Sequence, residues 1–326
     1  FKQMKPFEYS ELLTSKETKI KSKFRINLAF ILNTSYTKEE CISYVKKSLM
    51  YLDIKGTIER CNRQIKEIES ELIPMDSMVL IRCQEYVSLT SHLELVTNKK
   101  RKVLQRQIKE YADVLEYIEP YTKLKETEKR IQDEQHYKEY AETYIETHIG
   151  HAYRILSDNG FMLDDVLTEK GNISCMINEI HLLVFSDLYK KTNGFNSYES
   201  THMFALFSCF YDLKNENTSK PDDPNLTYIK ERLNYYHDNE TKCGLSSMNQ
   251  SELQYVMYEY IIRWMDHCDD EQSCLQFISE FKSQTNLFVG DFVKCCLKLI
   301  HISHEVSSIC EYMNDYECLD KIKDGK

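Results

Sequence analysis

Apolar residues recur every three to four positions through most of the 326-residue chain, which predicts an all-α fold. The clearest run extends from Leu167 to Tyr211 and predicts two packed helices behind a tight turn. Its segment 181–189, HLLVFSDLY, is apolar nearly all round, which predicts a buried helix. Asn193-Gly194 then predicts a turn before the second helix, whose apolar positions keep the helical spacing.

Residues at the ends of these segments predict where the helices begin and end. Gly171 is expected to allow a positive-φ turn after a short helix. Asn178 is expected to cap a helix that begins near Glu179, and Ser197 to cap the next helix. Upstream, Asp158-Asn159-Gly160 predicts a helix C-terminus.

The N-terminal half has the same helical spacing. An amphipathic helix is expected over residues 19–33, and a second one begins after Thr37. A further helix is predicted from residue 58 to 74. Three stalk helices follow, one of which is expected to end at Pro120, and a polar turn at 98–100 should make two of them antiparallel. The predicted domains are 1–74, a winged-helix-like module; 75–144, a helical stalk; and 145–326, a helical bundle.

The C-terminal part predicts two more helices with clear apolar stripes. Trp264 is in phase with a stripe over residues 253–268, which predicts that it packs in the core. The last long helix places Lys294, Lys298, His301 and Glu305 on roughly the opposite face from its apolar positions. These apolar positions are Phe292, Cys296, Leu299, Ser303, Val306, Cys310 and Met313.

Charge and cysteine usage narrow the possible functions. The net charge of −10 argues against nucleic-acid binding driven by bulk charge, so any RNA contact must use local basic patches. The 12 cysteines, without a signal peptide, favour reduced thiols in a nuclear or cytoplasmic setting. His267, Cys268 and Cys274 are the nearest approach to a metal cluster, but buried thiols are the preferred interpretation, and no metal is expected.

Chain ends and composition suggest an origin. The first residue is Phe1 rather than Met, so we expect a fragment or a processed product. No apolar run reaches the ~18 residues that a membrane span needs. Abundant Lys, Asn, Ile and Tyr are typical of AT-rich genomes, such as those of large DNA viruses or protists.

Sequence motifs for ATP hydrolysis are missing. The chain contains no G-x-x-x-x-G-K-[ST] loop and no D-E-x-H box. It also lacks H-E-x-x-H and G-x-S-x-G motifs. No catalytic residue and no cofactor are therefore expected in this chain, which should not hydrolyse ATP by itself.

The 167–211 run resembles the signature of the C-terminal helical (DSHCT) domain of DExH-box RNA helicases, in the exosome-associated and superkiller group. There an L-x-x-KG segment precedes a buried LLLTEL-like helix, and a phenylalanine-led turn precedes an A-L-x-S-x-F helix. Asn172 and Leu182 depart from the family, which usually has Arg and an acid there. The matching residues are Leu167, Lys170, Gly171, Ile177, Leu183, Ser186, Asp187, Leu188, Phe195, Ala205, Leu206, Ser208, Cys209 and Phe210.

The resemblance covers roughly residues 20–70 and 145–320, and the stalk only by position. The first two helices resemble the family's winged-helix domain, and the stalk occupies the place of its arch but lacks the β-barrel. We therefore expect a reduced arch, with a helical coiled-coil stalk. The residues that resemble the winged helix are Phe24, Ile26, Ile31, Leu32 and Asn33.

The resemblance implies RNA-contact candidates. Lys298 takes the position of a family Arg that reaches RNA bases, with Asp212 as the nearest acid; a Lys favours phosphate contact instead. Solvated surface lysines are the competing interpretation for each basic candidate. The further candidates are Lys294 on the same helix, Lys23 and Arg25 before the first helix, and Lys99, Lys100 and Arg101 at the stalk turn.

The function implied is that of the C-terminal region of an ATP-dependent RNA helicase. ATP and Mg would bind to RecA-like motor domains outside this chain. Single-stranded RNA and those motor domains are the expected partners, with RNA-decay or transcription machinery as a further one and no membrane. The alternative is an all-helical interaction adaptor without nucleic-acid or ATPase activity.

Overall fold

A computed structural model describes residues 22–34, 37–213, 220–246 and 252–324. These residues form fourteen α-helices, one 3₁₀ helix and one small antiparallel sheet. The predicted all-α fold is therefore confirmed.

The N-terminal half contains six of these helices and the 3₁₀ helix. They are α1 Leu28–Thr34, α2 Lys38–Val45, α3 Leu49–Ser70, α4 Ser77–Leu95, α5 Asn98–Lys109, the 3₁₀ helix Ala112–Tyr117 and α6 Ile118–Asp158. The sheet follows, with β1 Met162–Leu163 paired to β2 Val166–Leu167.

The remaining helices lie C-terminal to the sheet. They are α7 Glu169–Cys175, α8 Leu182–Lys191, α9 Ser200–Ser208, α10 Pro224–Lys242, α11 Tyr258–His267, α12 Glu271–Gln284, α13 Val289–Met313 and α14 Tyr316–Asp324.

The chain divides into two compact units. The bundle unit comprises Phe24–Lys46 and Ile145–Lys326, and the stalk unit comprises Lys47–Tyr144 with the residues up to Lys23. The predicted 1–74 module is thus shared between the units. Its described residues contain helices and no strand, so they do not form the wing of a winged helix.

The bundle unit packs around α8. Every residue from Leu182 to Tyr189 is buried, which confirms that the HLLVFSDLY segment is a buried helix. Aromatic side chains surround it: Phe195 meets Phe207 edge-on with ring centroids 5.3 Å apart, and Phe185 lies 6.0 Å from Phe195. Trp264 packs edge-on against Phe277 at 5.2 Å, as predicted.

Two predicted helix starts around α8 are wrong. The first helix begins at Leu182 rather than near Glu179, because the His181 side chain caps it by accepting from the Val184 N–H. The second begins at Ser200 after Glu199, and Ser197 is not its cap. The turn between them is confirmed, with Asn193 and Gly194 both at positive φ.

Gly171 does not form the expected positive-φ turn. It lies within α7 and is buried. A Cβ at this position would lie 2.2 Å from the backbone oxygen of Phe161. A close backbone approach, rather than backbone conformation, therefore requires glycine here. The predicted helix end at Gly160 is confirmed, since α6 ends at Asp158 and Gly160 has a φ of 72°.

Two other helices begin later than predicted. The first helix begins at Leu28, where the Asn27 side chain accepts from the Phe30 N–H at 2.8 Å. Residues 22–27 are not helical, and 19–21 lie outside the described residues. In the 253–268 segment the helix begins at Tyr258, because the Gln254 N–H donates to the Cys209 carbonyl at 2.9 Å instead of joining a helix.

The stalk unit contains a small core between α4 and the segment that follows α5. Cys83, Val114 and Tyr121 are buried together there. Pro120 does not end a helix: it lies in the first turn of α6, where its missing N–H breaks no hydrogen bond. The predicted polar turn at 98–100 is also wrong, since these residues form the first turn of α5.

Candidate nucleic-acid interface

Helix α13 presents two different faces along its length. Its inner face is buried and includes Phe292, Leu299 and Val306. On the outer face, Val293, Leu297 and Ile300 follow a 4-3 spacing and are 48%, 52% and 46% exposed. These three side chains form an apolar row, which we call the α13 row, in contact with solvent.

A polar edge separates the α13 row from the buried face. Lys294 and His301 are exposed there, whereas Lys298 and Glu305 are half-buried. Lys294 lies 3.7 Å from the Asp291 carboxylate. The edge therefore combines cationic and anionic groups beside exposed apolar surface.

Lys298 is fixed in place rather than free in solvent. Its Nζ donates to the Phe210 carbonyl at 2.9 Å, just after the C-terminus of α9. A cation stabilises this end of a helix, where unpaired carbonyls face outward. Burial lowers the pKa of Lys298, and nearby acids partly offset this effect.

Three carboxylates lie close enough to Lys298 to raise its pKa: Glu179, Asp212 and Glu305. Asp212 is exposed. Glu305 accepts hydrogen bonds from the backbone N–H groups of Asn178 and Glu179, each at 3.1 Å, and so ties the turn before α8 to α13. The surroundings of Lys298 are thus acidic.

The other predicted contact residues occupy separate places. Lys23 and Arg25 are exposed in the segment before α1, and Arg25 donates to the Phe24 carbonyl at 2.8 Å. Lys99, Lys100 and Arg101 are exposed on α5 in the stalk unit. The α13 row, its polar edge and Asp212 beside Lys298 together form what we call the α13 surface. Of the predicted contact residues, only Lys298, Lys294 and Asp212 belong to it, and their contact with RNA stays a prediction.

Two polar residues of the DSHCT-like motif, Lys170 and Asp187, meet in the interior instead. Lys170 of α7 lies 2.5 Å from Asp187 of α8, and Arg232 of α10 donates to the same carboxylate at 2.7 Å. The Tyr236 hydroxyl donates to Asp187 at 2.7 Å and accepts from Arg232. We call Lys170, Asp187, Arg232 and Tyr236 the polar core.

Neighbouring groups complete this polar core. Lys170 also donates to the Asn159 carbonyl at 2.8 Å and lies 4.0 Å from the Phe161 ring centroid. His181 stacks on Tyr236 at 5.9 Å, and burial lowers the pKa of His181 to about 4. Because the carboxylate is fully paired, this cluster holds three helices together and leaves no group to bind a ligand.

Sequence reasoning missed Arg232 and Tyr236. No local motif marks them, because their partner Asp187 lies 45 and 49 positions away. The two residues that depart from the family pattern, Asn172 and Leu182, are each accommodated by their neighbours. Asn172 donates to the Tyr312 hydroxyl at 3.0 Å, and Leu182 is buried.

Neither a metal site nor a membrane span is found among the described residues. Within them, no group of His, Cys, Asp and Glu side chains could hold a metal ion. No described helix is both long and apolar enough to cross a membrane.

Apart from its two-stranded sheet, the bundle unit is helical, and α13 is its longest helix after the sheet. Residues 164–325 match the family model of the DSHCT (NUC185) domain. The bundle unit therefore contains a DSHCT domain, which occurs in Ski2-like RNA helicases, and the predicted resemblance is confirmed for this segment. No curated protein matches the chain.

Proposed function

We propose that this chain is the C-terminal region of an ATP-dependent DExH-box RNA helicase, and that the α13 surface guides single-stranded RNA. The DSHCT match supports the helicase assignment. ATP and Mg²⁺ would bind to RecA-like motor domains outside the chain. In this proposal α1 and α2 brace the bundle against those motors, in the place of a winged helix.

The α13 row is the observation that supports RNA guidance. Its three side chains are each about half exposed and adjacent on one helix face, and contiguous apolar surface of this kind marks interaction sites, unlike single exposed residues. The faces of unpaired bases are flat and apolar, and the aliphatic side chains of the α13 row can contact these faces without the aromatic stacking that other single-strand binders use. Because the α13 row has three similar apolar side chains, a base can move from one to the next as the RNA advances.

The environment of Lys298 favours contact with bases or sugars over contact with phosphates. Its Nζ already donates to the Phe210 carbonyl, and Glu179, Asp212 and Glu305 reduce the local positive potential. A phosphate would be repelled by these carboxylates. A base edge could accept from Lys298 while its ring lies on Leu297.

Binding of a single-stranded RNA of about 16 nucleotides to the full chain tests this proposal, measured by fluorescence anisotropy. We expect Leu297→Glu to weaken binding about 10-fold, because it replaces an apolar contact with a charge that repels the RNA backbone. Leu275→Glu is the matched control, since Leu275 is 60% exposed on α12 of the same unit. Equal affinities of the two variants would contradict the α13 surface as the binding site.

Lys298 provides an independent test. Lys298→Ala should weaken binding of the same single strand, whereas Lys282→Ala, an exposed lysine on α12, should not. If the chain binds no RNA at about 0.05 M salt, where phosphate contacts are strongest, the RNA role fails. An all-helical interaction adaptor would then be the better assignment, with the α13 row as its protein-binding surface.

A further inference from the structure

Helix α5 of the stalk unit carries a regular row of cations. Lys99, Lys102, Arg106 and Lys109 follow one another at 3-4-3 spacing, which places them on one face of the helix. All four are exposed, whereas Leu104 and Ile108, on the opposite face, are half-buried. We call the four cations the α5 stripe.

The charge of α5 contrasts with that of the rest of the chain. The helix contains six Lys and Arg residues and no Asp or Glu, in a chain whose net charge is −10. Within the described part of the chain, no ion pair neutralises any member of the α5 stripe. Four cations also occupy positions 99–102 at the N-terminal end of the helix, where they oppose the helix dipole. Stability of the helix itself does not explain this arrangement.

The geometry of the α5 stripe fits a row of phosphates. Ten residues of α-helix separate its first and last members, which corresponds to roughly 15 Å, with cations about 5 Å apart along the axis. The stripe consists of cations only and offers neither an apolar nor an aromatic surface to an unpaired base. A rigid, regularly charged and non-aromatic face is suited to the backbone of a duplex, which proteins recognise by shape and phosphate contacts.

We propose that the α5 stripe binds the phosphate backbone of double-stranded RNA. Contact with phosphates alone makes this binding independent of base sequence and strongly dependent on salt. Lys100 and Arg101 lie off the stripe and contribute little. The site belongs to the stalk unit alone; the choice of RNA rests on the proposed helicase function, but the inference does not rest on the single-strand function of α13.

The test uses the full chain, a blunt RNA duplex of about 16 base pairs, and salt from about 0.05 to 0.2 M. The stripe variant is Lys99→Gln, Lys102→Gln, Arg106→Gln and Lys109→Gln combined. The matched control also removes four exposed charges of the same unit: Lys66→Gln, Lys100→Gln, Arg101→Gln and Lys129→Gln.

We expect the stripe variant to bind the duplex about 30-fold more weakly at about 0.1 M salt, while the control loses less than about 3-fold. The slope of log affinity against log salt should fall by about 3 to 4, because four phosphate contacts are lost. Circular dichroism checks folding. If the fourfold variant is not folded, the double variant Lys99→Gln with Lys109→Gln should still lower the slope by about 2.

Several outcomes would overturn the proposal. Equal losses in the stripe variant and the control would show a general charge effect instead of a defined face. Unchanged duplex binding in the stripe variant, together with loss of binding to poly-glutamate or to anionic lipid vesicles, would assign the stripe to an acidic protein or a membrane. Leu297→Glu should leave duplex binding unchanged, so failure here and failure of the single-strand proposal are distinguishable.

Discussion

The bundle unit buries a continuous aromatic interior with a paired carboxylate inside it, whereas the stalk unit buries little. In the bundle, α8 is covered on all sides, and the polar core joins α7, α8 and α10. In the described residues 47–144, the buried side chains are Met50, Cys61, Ile68, Cys83, Val114, Tyr121 and Ala141. Large apolar side chains such as Ile73 and Leu95 remain exposed there.

This contrast shows what each unit depends on for its structure. The bundle depends on contacts between residues distant in sequence, so a single change in its interior should affect the whole unit. The stalk depends on local helix formation and on exposed ion pairs such as Arg130–Glu71, which contribute little individually. Substitutions on the stalk surface therefore cost little stability, so this surface can carry the charged residues that binding needs.

The largest difference should appear when one carboxylate is neutralised in the polar core. Asp187→Asn leaves Lys170 and Arg232 without their counter-charge in a mostly buried site. We expect a loss of about 3 kcal/mol in the free energy of unfolding, measured by denaturant titration. Asp158→Asn, at the exposed end of α6, is the control and should cause no measurable loss. Equal stability of the two variants would mean that the polar core does not hold the bundle together.

The same glycine-to-alanine change should have opposite signs in the two units. Gly171→Ala places a Cβ against the Phe161 backbone oxygen and should destabilise the bundle by about 2 kcal/mol. Gly56→Ala lies inside α3 with open space around it and should stabilise the stalk by about 0.5–1 kcal/mol. Thermal unfolding of each variant measures both effects. A destabilised Gly56→Ala would show that α3 is packed against something at this point.

Periodicity predicted the interior of the bundle well because burial there follows the helix repeat. The apolar segment 181–189 is buried as expected, and the buried face of α13 includes five of the seven predicted positions, Phe292, Leu299, Ser303, Val306 and Cys310, while Cys296 and Met313 are half-buried. The motif residues of the 167–211 run predicted the DSHCT domain because they preserve the order of these buried segments.

Helix ends and polar partners were predicted less well, because they depend on distant groups. Pro120 is compatible with either end of a helix, and only the 3₁₀ segment before it shows that a helix begins there. The sequence predicts a turn at Gly171, because no neighbouring residue in the sequence indicates that the Phe161 carbonyl lies beside it. Arg232 carries no motif, and its role appears only when α10 packs against α8.

Acid should weaken the bundle through His181. Burial lowers the pKa of His181 to about 4 in the folded chain, from an ordinary value of 6.5. The unfolded chain therefore binds a proton first as the pH falls, so stability present above pH 6.5 is lost progressively down to about pH 4. We expect a loss of about 1.4 kcal/mol at about pH 5.5, measured by denaturant titration across this pH range.

His181→Asn is the control for this pH effect. Asn keeps a side-chain acceptor for the Val184 N–H but does not titrate. The variant should lose this part of the pH dependence while wild type retains it. An unchanged pH profile would assign the acid sensitivity to other groups.

The smallest effect should come from one exposed ion pair of the stalk unit, Arg82–Asp113. Arg82 donates to Asp113 at 2.7 Å and to the Glu110 carbonyl at 3.2 Å, with both side chains substantially exposed. Asp113→Asn removes the charge but leaves an oxygen that can accept from Arg82, and water can solvate the guanidinium. We therefore expect no measurable change in thermal unfolding, in contrast to Asp187→Asn. A loss as large as that of Asp187→Asn would mean that the stalk depends on ionic contacts as strongly as the bundle does.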